Sequence, residues 1–252
     1  MLDRFEIFNL ISIPSYNIFI GVGLIAGFIS FEKSHVFSNF KNSFNVYNAI
    51  FISFLFAFLG SRVFDLFFLK KAITVDNFFS GSSAFLGGLV FFIPSLYLFL
   101  KVFKLKPMLI IHSLVEPILL AHFFGRIGCF FAGCCFGKPC SSSNFLAVTF
   151  PKNSIPYNHL GGNYPIHPTQ LYEALGILFV FFIVKQSHKH KIPLYLVCYG
   201  IIRFFIEFLR DDERGSFLFD LISPSQQVCL FFVFLGSYLF FRKKKRQLKL
   251  SK

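Results

Sequence analysis

Runs of about twenty apolar residues, repeated along the chain, constrain it more than any other feature. Such a run, wound at 1.5 Å per residue, crosses about 30 Å of hydrocarbon. They fall at roughly 15–31, 45–69, 84–103, 108–134, 169–185, 192–210 and 224–241. They lack the period-two alternation of barrel strands and are too long for them. In hydrocarbon each backbone N–H and C=O must pair within its own segment or a closed barrel, so the runs read as helices. The expected fold is an all-α polytopic membrane protein with seven transmembrane helices. With 252 residues, the spans leave too little chain for a separate soluble domain. A single integral membrane domain over 1–252 is therefore expected.

Composition agrees with this class. Charged residues make up 15% of the chain and hydrophobic ones 55%, against about 25% charged in ordinary soluble domains. That hydrophobicity also excludes disorder. The first six residues, Met1 to Glu6, are not basic, and no small-residue cleavage site follows the apolar stretch at 18–31, so the N-terminus is a poor signal peptide.

The net charge of +13 would suggest nucleic acid in a soluble protein. Here the charge lies between spans and at the end, so it reads as topology and no nucleic-acid partner is expected. One alternate set of connections holds Lys33, Lys41, Lys101, Lys104, Lys106, Lys185, Lys189, Lys191 and the basic tail from Arg242 to Lys252. The opposite set is poorer, with Arg4, Lys70, Lys71, Lys138, Lys152, Arg210 and Arg214. The positive-inside rule then puts the C-terminus in the cytoplasm. With seven spans the N-terminus is outside, and the longest loop, about 135–168, faces outward.

Three arginines lie inside spans, and each costs about 2.5–3.5 kcal/mol at a bilayer centre on insertion scales. Arg62 has Asp65 three residues on, which reads equally as a helix-locking ion pair. Arg203, Glu207 and Arg210 line one helix face. Glu207 can orient both arginines and leave guanidinium donors over for an anion; the bland alternative is a self-satisfied charge ladder. Arg126 stands between Gly125 and Gly128, where a backbone or a headgroup can approach closely. Guanidinium recognises phosphate through a planar fork. Two intramembrane arginines on different helices thus point to a phospholipid headgroup site.

The fifth span opens with Tyr164-Pro165-Ile166-His167-Pro168-Thr169-Gln170-Leu171-Tyr172-Glu173. Thr169 is the expected N-cap. His167, stiffened by its flanking prolines, is a titratable base beside a Gln170/Tyr172/Glu173 face, or else simply an interfacial histidine. Cys129, Cys134, Cys135 and Cys140 are spaced C-x4-C-C-x4-C. That is not a recognised zinc spacing, and nothing in it demands a metal. The thiols read as packing residues or as disulfide partners.

These residues carry a resemblance. Gly125-Arg126-Ile127-Gly128-Cys129-Phe130, with Gly133 and Gly137 following, resembles the Gly-Arg-Ile-Gly-Asn-Phe signature of the prolipoprotein diacylglyceryl transferase family. His167-Pro168-Thr169-Gln170-Leu171-Tyr172-Glu173 is similar to that family's His-Pro-Ser-Gln-Leu-Tyr-Glu. Arg203 to Arg210 is similar to its Arg-Phe-x-x-Glu-x-x-Arg, and Tyr16, Gly60-Ser61-Arg62 and Gly87-Gly88 fall in the same order. The resemblance runs from about Tyr16 to Gln227. It implies transfer of the diacylglyceryl group of phosphatidylglycerol to the lipobox cysteine thiol of a prolipoprotein, in the bacterial inner (cytoplasmic) membrane. It implies that Arg126 and Arg203 clamp the phosphate, with Glu207 and Arg210 holding Arg203, and that no metal or organic cofactor is needed because the arginines supply the charge. Tyr16 and Gln170 would hydrogen-bond the headgroup, and Arg62, Gly87, Gly88, Gly125, Gly128, Gly137, Tyr172 and Glu173 would complete the substrate site. The chain departs from the family pattern at four places: Asn17 for Gly, Leu86 for the His before Gly-Gly, Cys129 for Asn and Cys134 for Glu. With Leu86 in place of the family's base, His167 is the residue expected to take the thiol proton. Two other readings stay open: a non-catalytic relative that binds anionic lipid or lipoprotein, and a cysteine-based redox or metal protein.

Overall fold

The computed structural model describes residues 4–7, 11–34, 43–68, 74, 85–187, 189–211 and 222–250. A short antiparallel ribbon comes first, β1 (Arg4–Ile7) paired with β2 (Ile11–Pro14) from Arg4↔Pro14 to Ile7↔Ile11. The rest is helical: α1 (Ser15–Glu32), α2 (Ser43–Phe68), α3 (Phe85–Val102), α4 (Pro107–Ala132), α5 (Ile155–Leu160), α6 (Thr169–Gln186), α7 (Lys191–Glu207) and α8 (Pro224–Leu250). Each expected apolar segment carries a long helix, and the short α5 lies in the loop before α6. Among the described residues, four helical stretches are long and apolar enough to cross a membrane: Ser15–Glu32, Phe44–Val63, Pro107–Ala132 and Thr169–Gln186.

The chain divides into two compact units, 33–113 and the remainder. In the unit 33–113, α2 and α3 pack through paired rings, Phe54 on Phe92 at 5.1 Å and Phe56 on Phe99 at 5.6 Å between centroids. Serines survive in these apolar helices by bonding back to their own carbonyls. Ser53 Oγ donates to Ala49 O at 2.6 Å, Ser61 Oγ to Phe58 O at 2.8 Å and Ser95 Oγ to Phe91 O at 2.7 Å. Each of these three hydroxyls thus has its partner within its own helix.

The other unit holds the ribbon, α1, most of α4 and everything after it. Its core joins Val115 and Leu119 of α4 to Ile177, Val180 and Val184 of α6 and Tyr199 of α7. Small residues set the helix spacing, as in other membrane bundles. A methyl at Gly27 of α1 would meet the Pro117 carbonyl of α4 at 2.9 Å, and one at Gly200 of α7 would meet the Cys229 carbonyl of α8 at the same distance. Rows of large apolar side chains stay exposed on outward faces, among them Leu24, Ile25 and Phe28 of α1 and Leu175, Phe179 and Phe182 of α6. A lipid-facing surface has this character.

The loop from 133 to 168 is ordered by its own small core, in which Phe136, Phe150 and Ile166 are buried and Phe130, Val148 and Leu160 pack against them. The stretch 145–150, a potential strand by sequence, forms a single bridge, Val148↔Ile166. Further bridges link Pro139 to Ile166 and Gly137 to Arg210. The loop is therefore stitched to the residues just before α6 and just after α7, which carry functional side chains.

Candidate active site

Glu173 is the centre of the site. It lies one turn into α6 and is completely buried. Its Oε1 receives Tyr199 Oη of α7 at 2.9 Å and lies 3.0 Å from Arg126 Nη2 of α4. Arg203 Nε of α7 is 3.7 Å from the same oxygen, and His122 Nε2 of α4 is 3.8 Å away. Arg210 Nη1 approaches the other oxygen at 4.0 Å. Four cationic or potentially cationic groups thus converge on one carboxylate.

The second carboxylate, Glu207, serves the helix face expected from its spacing. Its Oε2 is 2.5 Å from Arg203 Nη2 and 3.9 Å from Arg210 Nε, while Ser223 Oγ donates to its Oε1 at 2.8 Å. Three guanidinium groups therefore face two carboxylates, a surplus of one positive charge. Arg126 Nε and Arg203 Nη1 are buried without a hydrogen-bond partner. Buried donors of this kind are costly to leave unmade and suit an anion that supplies acceptors.

Backbone contacts hold the arrangement rigid. Gly137 N donates to His167 O at 3.1 Å, Lys138 N to Leu209 O at 2.8 Å and His167 N to Lys138 O at 3.1 Å. A methyl at Gly137 would meet His167 O at 2.5 Å, Thr169 Cγ2 at 2.7 Å and Leu209 O at 2.8 Å, so the three segments close only on glycine. Gly128 admits Tyr16 and Phe19 of α1, with Tyr16 Cδ2 only 3.2 Å from where a methyl would stand; Gly125 faces Ile20 at an ordinary 3.5 Å.

Several side chains differ in role from what the sequence suggests. Thr169 is not the N-cap of α6. Pro168 takes that position, without a side-chain cap, and Thr169 Oγ1 donates to Cys135 O at 2.8 Å. Gln170 Nε2 donates to Cys134 O at 2.8 Å, and its buried Oε1 has no hydrogen-bond partner. His167 is partnered through Nδ1 by Tyr172 Oη at 3.2 Å, while Glu173 turns inward to the arginines. Arg62 stands over the Phe58 ring at 5.2 Å, and Gly88 has the Ala57 carbonyl 3.4 Å from the place of a methyl. Both belong to the unit 33–113, as does Gly87 in α3. The side chains of Asp65 and Leu86 lie outside the described residues.

Two members of the cluster are not singled out by the sequence reading. His122 packs edge-on against Tyr199 at 5.1 Å between ring centroids, and Tyr195 stacks on Tyr199 at 5.7 Å. A signal existed: His122 precedes Arg126, and Tyr199 precedes Arg203, by four residues, which places each on its arginine's helix face.

Cys135 lies just beyond α4. Hydrogen bonds from the Cys129 and Cys134 thiols, reinforced by the charges of Arg210 and Arg126, hold the Cys135 thiol far below its ordinary range.

Apolar helices enclosing a buried arginine–carboxylate centre define a helical membrane protein with charge placed for a task. The family model described as prolipoprotein diacylglyceryl transferase matches residues 4–242. The chain is 30% identical to the phosphatidylglycerol–prolipoprotein diacylglyceryl transferase of Clostridium tetani, over 95% of this chain and 98% of that protein. It is 32% identical to the protein named phosphatidylglycerol–prolipoprotein diacylglyceryl transferase 2 of Clostridium perfringens, over 93% and 92%. It is 29% identical to the Staphylococcus haemolyticus transferase of the same name, over 96% and 88%. The chain belongs to the prolipoprotein diacylglyceryl transferase family.

Proposed function

We propose that this protein transfers the diacylglyceryl group of phosphatidylglycerol to the thiol of a prolipoprotein lipobox cysteine. The sulfur forms a thioether bond to the glyceryl carbon, the carbon–oxygen bond to phosphate breaks, and glycerol 1-phosphate leaves. The observation that carries this reading is the surplus charge of the buried cluster, with donors of Arg126 and Arg203 lacking hydrogen-bond partners. Guanidinium donors fixed in a water-poor site stabilise a phosphate leaving group without reorganising during the reaction.

In this scheme Arg126 and Arg203 bind the phosphate. Glu173 and Glu207 hold the two arginines at a fixed separation, and Arg210 completes the lattice. Tyr16, packed on Gly128, and Gln170, through its buried Oε1, face the headgroup. His167, oriented by Tyr172, takes the thiol proton; a neutral imidazole accepts a proton near pH 7. Gly125 and Gly137 complete the substrate site within the same unit.

The same reading places the protein in the bacterial inner membrane, as one integral domain with seven spans. The N-terminus and the 135–168 loop face outward, and the tail beyond Arg242 faces the cytoplasm. The Lys/Arg asymmetry supports this orientation. An outward loop meets a secreted prolipoprotein where its signal peptide leaves the membrane.

The test is the purified full chain in detergent, given phosphatidylglycerol and a synthetic lipobox peptide. Release of glycerol 1-phosphate, with the matching mass gain on the peptide cysteine, is the expected result. Binding of phosphatidylglycerol with no release refutes the transferase and leaves a lipid-binding relative.

A further inference from the structure

Three thiols that the transfer scheme does not use come together where α4 ends. The Sγ atoms of Cys129, Cys134 and Cys135 all lie within 4.8 Å of one another, and none of the three is in a disulfide. Cys129 and Cys134 are brought together by the way the helix stops. Gly133 takes φ +70° and its N–H returns to Phe130 O at 3.2 Å, while Cys134 N–H returns to Cys129 O at 3.2 Å. This pair of bonds is the Schellman arrangement, in which the residue after the glycine folds back over the third residue from the helix end. Those two residues are Cys134 and Cys129. Cys135 follows with φ +61°, a left-handed conformation uncommon outside glycine.

The backbone that carries the second and third thiols is held from outside the loop. Gln170 Nε2 donates to Cys134 O and Thr169 Oγ1 to Cys135 O, each at 2.8 Å. A set of sulfurs fixed on a braced turn loses little conformational freedom on taking a ligand.

We infer that Cys129, Cys134 and Cys135 form a binding site for a thiophilic d10 cation, Zn2+ or Cu+. Thiolate ligation selects such ions over harder ones. At a Zn–S distance of about 2.3 Å, tetrahedral geometry asks for sulfurs about 3.8 Å apart. That is within about an ångström of the spread in the structure. Three protein ligands leave a fourth position for water or an exogenous thiol, the pattern of open zinc sites. Cys134 and Cys135 are partly exposed, which leaves a cation a path to the sulfurs.

The test uses the full chain, purified in detergent under reducing, anaerobic conditions and titrated with Zn2+, Cu+ or Co2+ against a chromophoric chelator. One cation per chain is expected, with the sulfur-to-metal charge-transfer absorption of a thiolate site in the Co2+ form. Cys129→Ser, Cys134→Ser and Cys135→Ser should each weaken binding at least about a hundredfold, whereas Cys198→Ser and Cys229→Ser leave it unchanged. Protection from alkylation, mapped by mass spectrometry, needs no variant: Zn2+ or Cu+ should shield these three thiols. Whichever of Zn2+ and Cu+ binds more tightly under competition identifies the ion. Equal alkylation with and without both ions, affinity indifferent to all three serines, or a disulfide among the three in the reduced preparation overturns the site.

Discussion

Glu173→Gln tests whether the buried carboxylate organises the arginines. The glutamine is nearly isosteric and keeps an acceptor for Tyr199 Oη at 2.9 Å, but it removes the charge that Arg126 meets at 3.0 Å. At an effective dielectric constant of about 20, a unit pair at that distance is worth about 5–6 kcal/mol before desolvation. Breaking a buried pair costs about 3–5 kcal/mol because the remaining charge is left uncompensated. The retained acceptor argues for the lower end, about 3 kcal/mol. If that loss falls on the positioning of Arg126 and Arg203 in the transition state, turnover drops about a hundredfold or more. Ground-state binding behaves differently. Three guanidinium groups would then face only Glu207, so attraction for an anionic headgroup persists. The assay is glycerol 1-phosphate release at saturating phosphatidylglycerol and peptide, beside equilibrium binding of phosphatidylglycerol in the same detergent. Expected are a hundredfold fall in kcat and lipid affinity within a few-fold of the parent. Normal kcat with lipid affinity lowered tenfold or more would refute the role assigned to Glu173.

Arg126→Lys and Arg203→Lys keep the charge but lose the planar fork. Each should cost about 3–4 kcal/mol of transition-state stabilisation, a hundredfold or more in glycerol 1-phosphate release, and equal, mild effects would undo the phosphate clamp. His167→Gln should lose most turnover while phosphatidylglycerol binding is kept; normal turnover would make His167 structural. Gly137→Ala, whose methyl would meet His167 O at 2.5 Å and Leu209 O at 2.8 Å, should lower stability by about 1–3 kcal/mol, visible as a fall in Tm. For topology, an impermeant thiol reagent applied to intact spheroplasts of a cysteine-free variant should label a reporter cysteine in the 135–168 loop and not one in the tail beyond Arg242; the opposite pattern would invert the orientation.

The helices were legible because hydrocarbon thickness acts on each segment alone, so a local count of apolar residues locates them. Where the structure differs, the determinant is something other than apolarity. The α8 helix runs on to Leu250, past the apolar stretch, because Arg, Lys, Gln and Leu are good helix formers and the tail contains no breaker. Apolarity marks where a span can end, not where its helix must. The α7 helix stops at Glu207, short of Arg210, because the next residues are drawn out of the helix to pair with the loop: Leu209 O accepts from Lys138 N, and Arg210 bridges to Gly137.

The site divides along the same line between local and long-range information. Arg203, Glu207 and Arg210 are neighbours on one helix, so their spacing alone gives the Arg203–Glu207 pair at 2.5 Å. Glu173 is different. A carboxylate where apolar residues should begin announces that something must pay for its burial, but no periodicity says what. Nearness in sequence offers it to His167, and the fold gives it instead to Arg126, Tyr199 and Arg203 on two other helices. His167 takes Tyr172 in its place. The turn of α6 explains the exchange: His167 precedes the helix and is tied by its backbone to Lys138, whereas Glu173 has turned toward the interior, where Ala174 and Ile177 are also buried. A buried charge can only be inventoried from sequence; its partner is chosen by which helices meet, and here that choice turns two separate arginine motifs into one cationic centre.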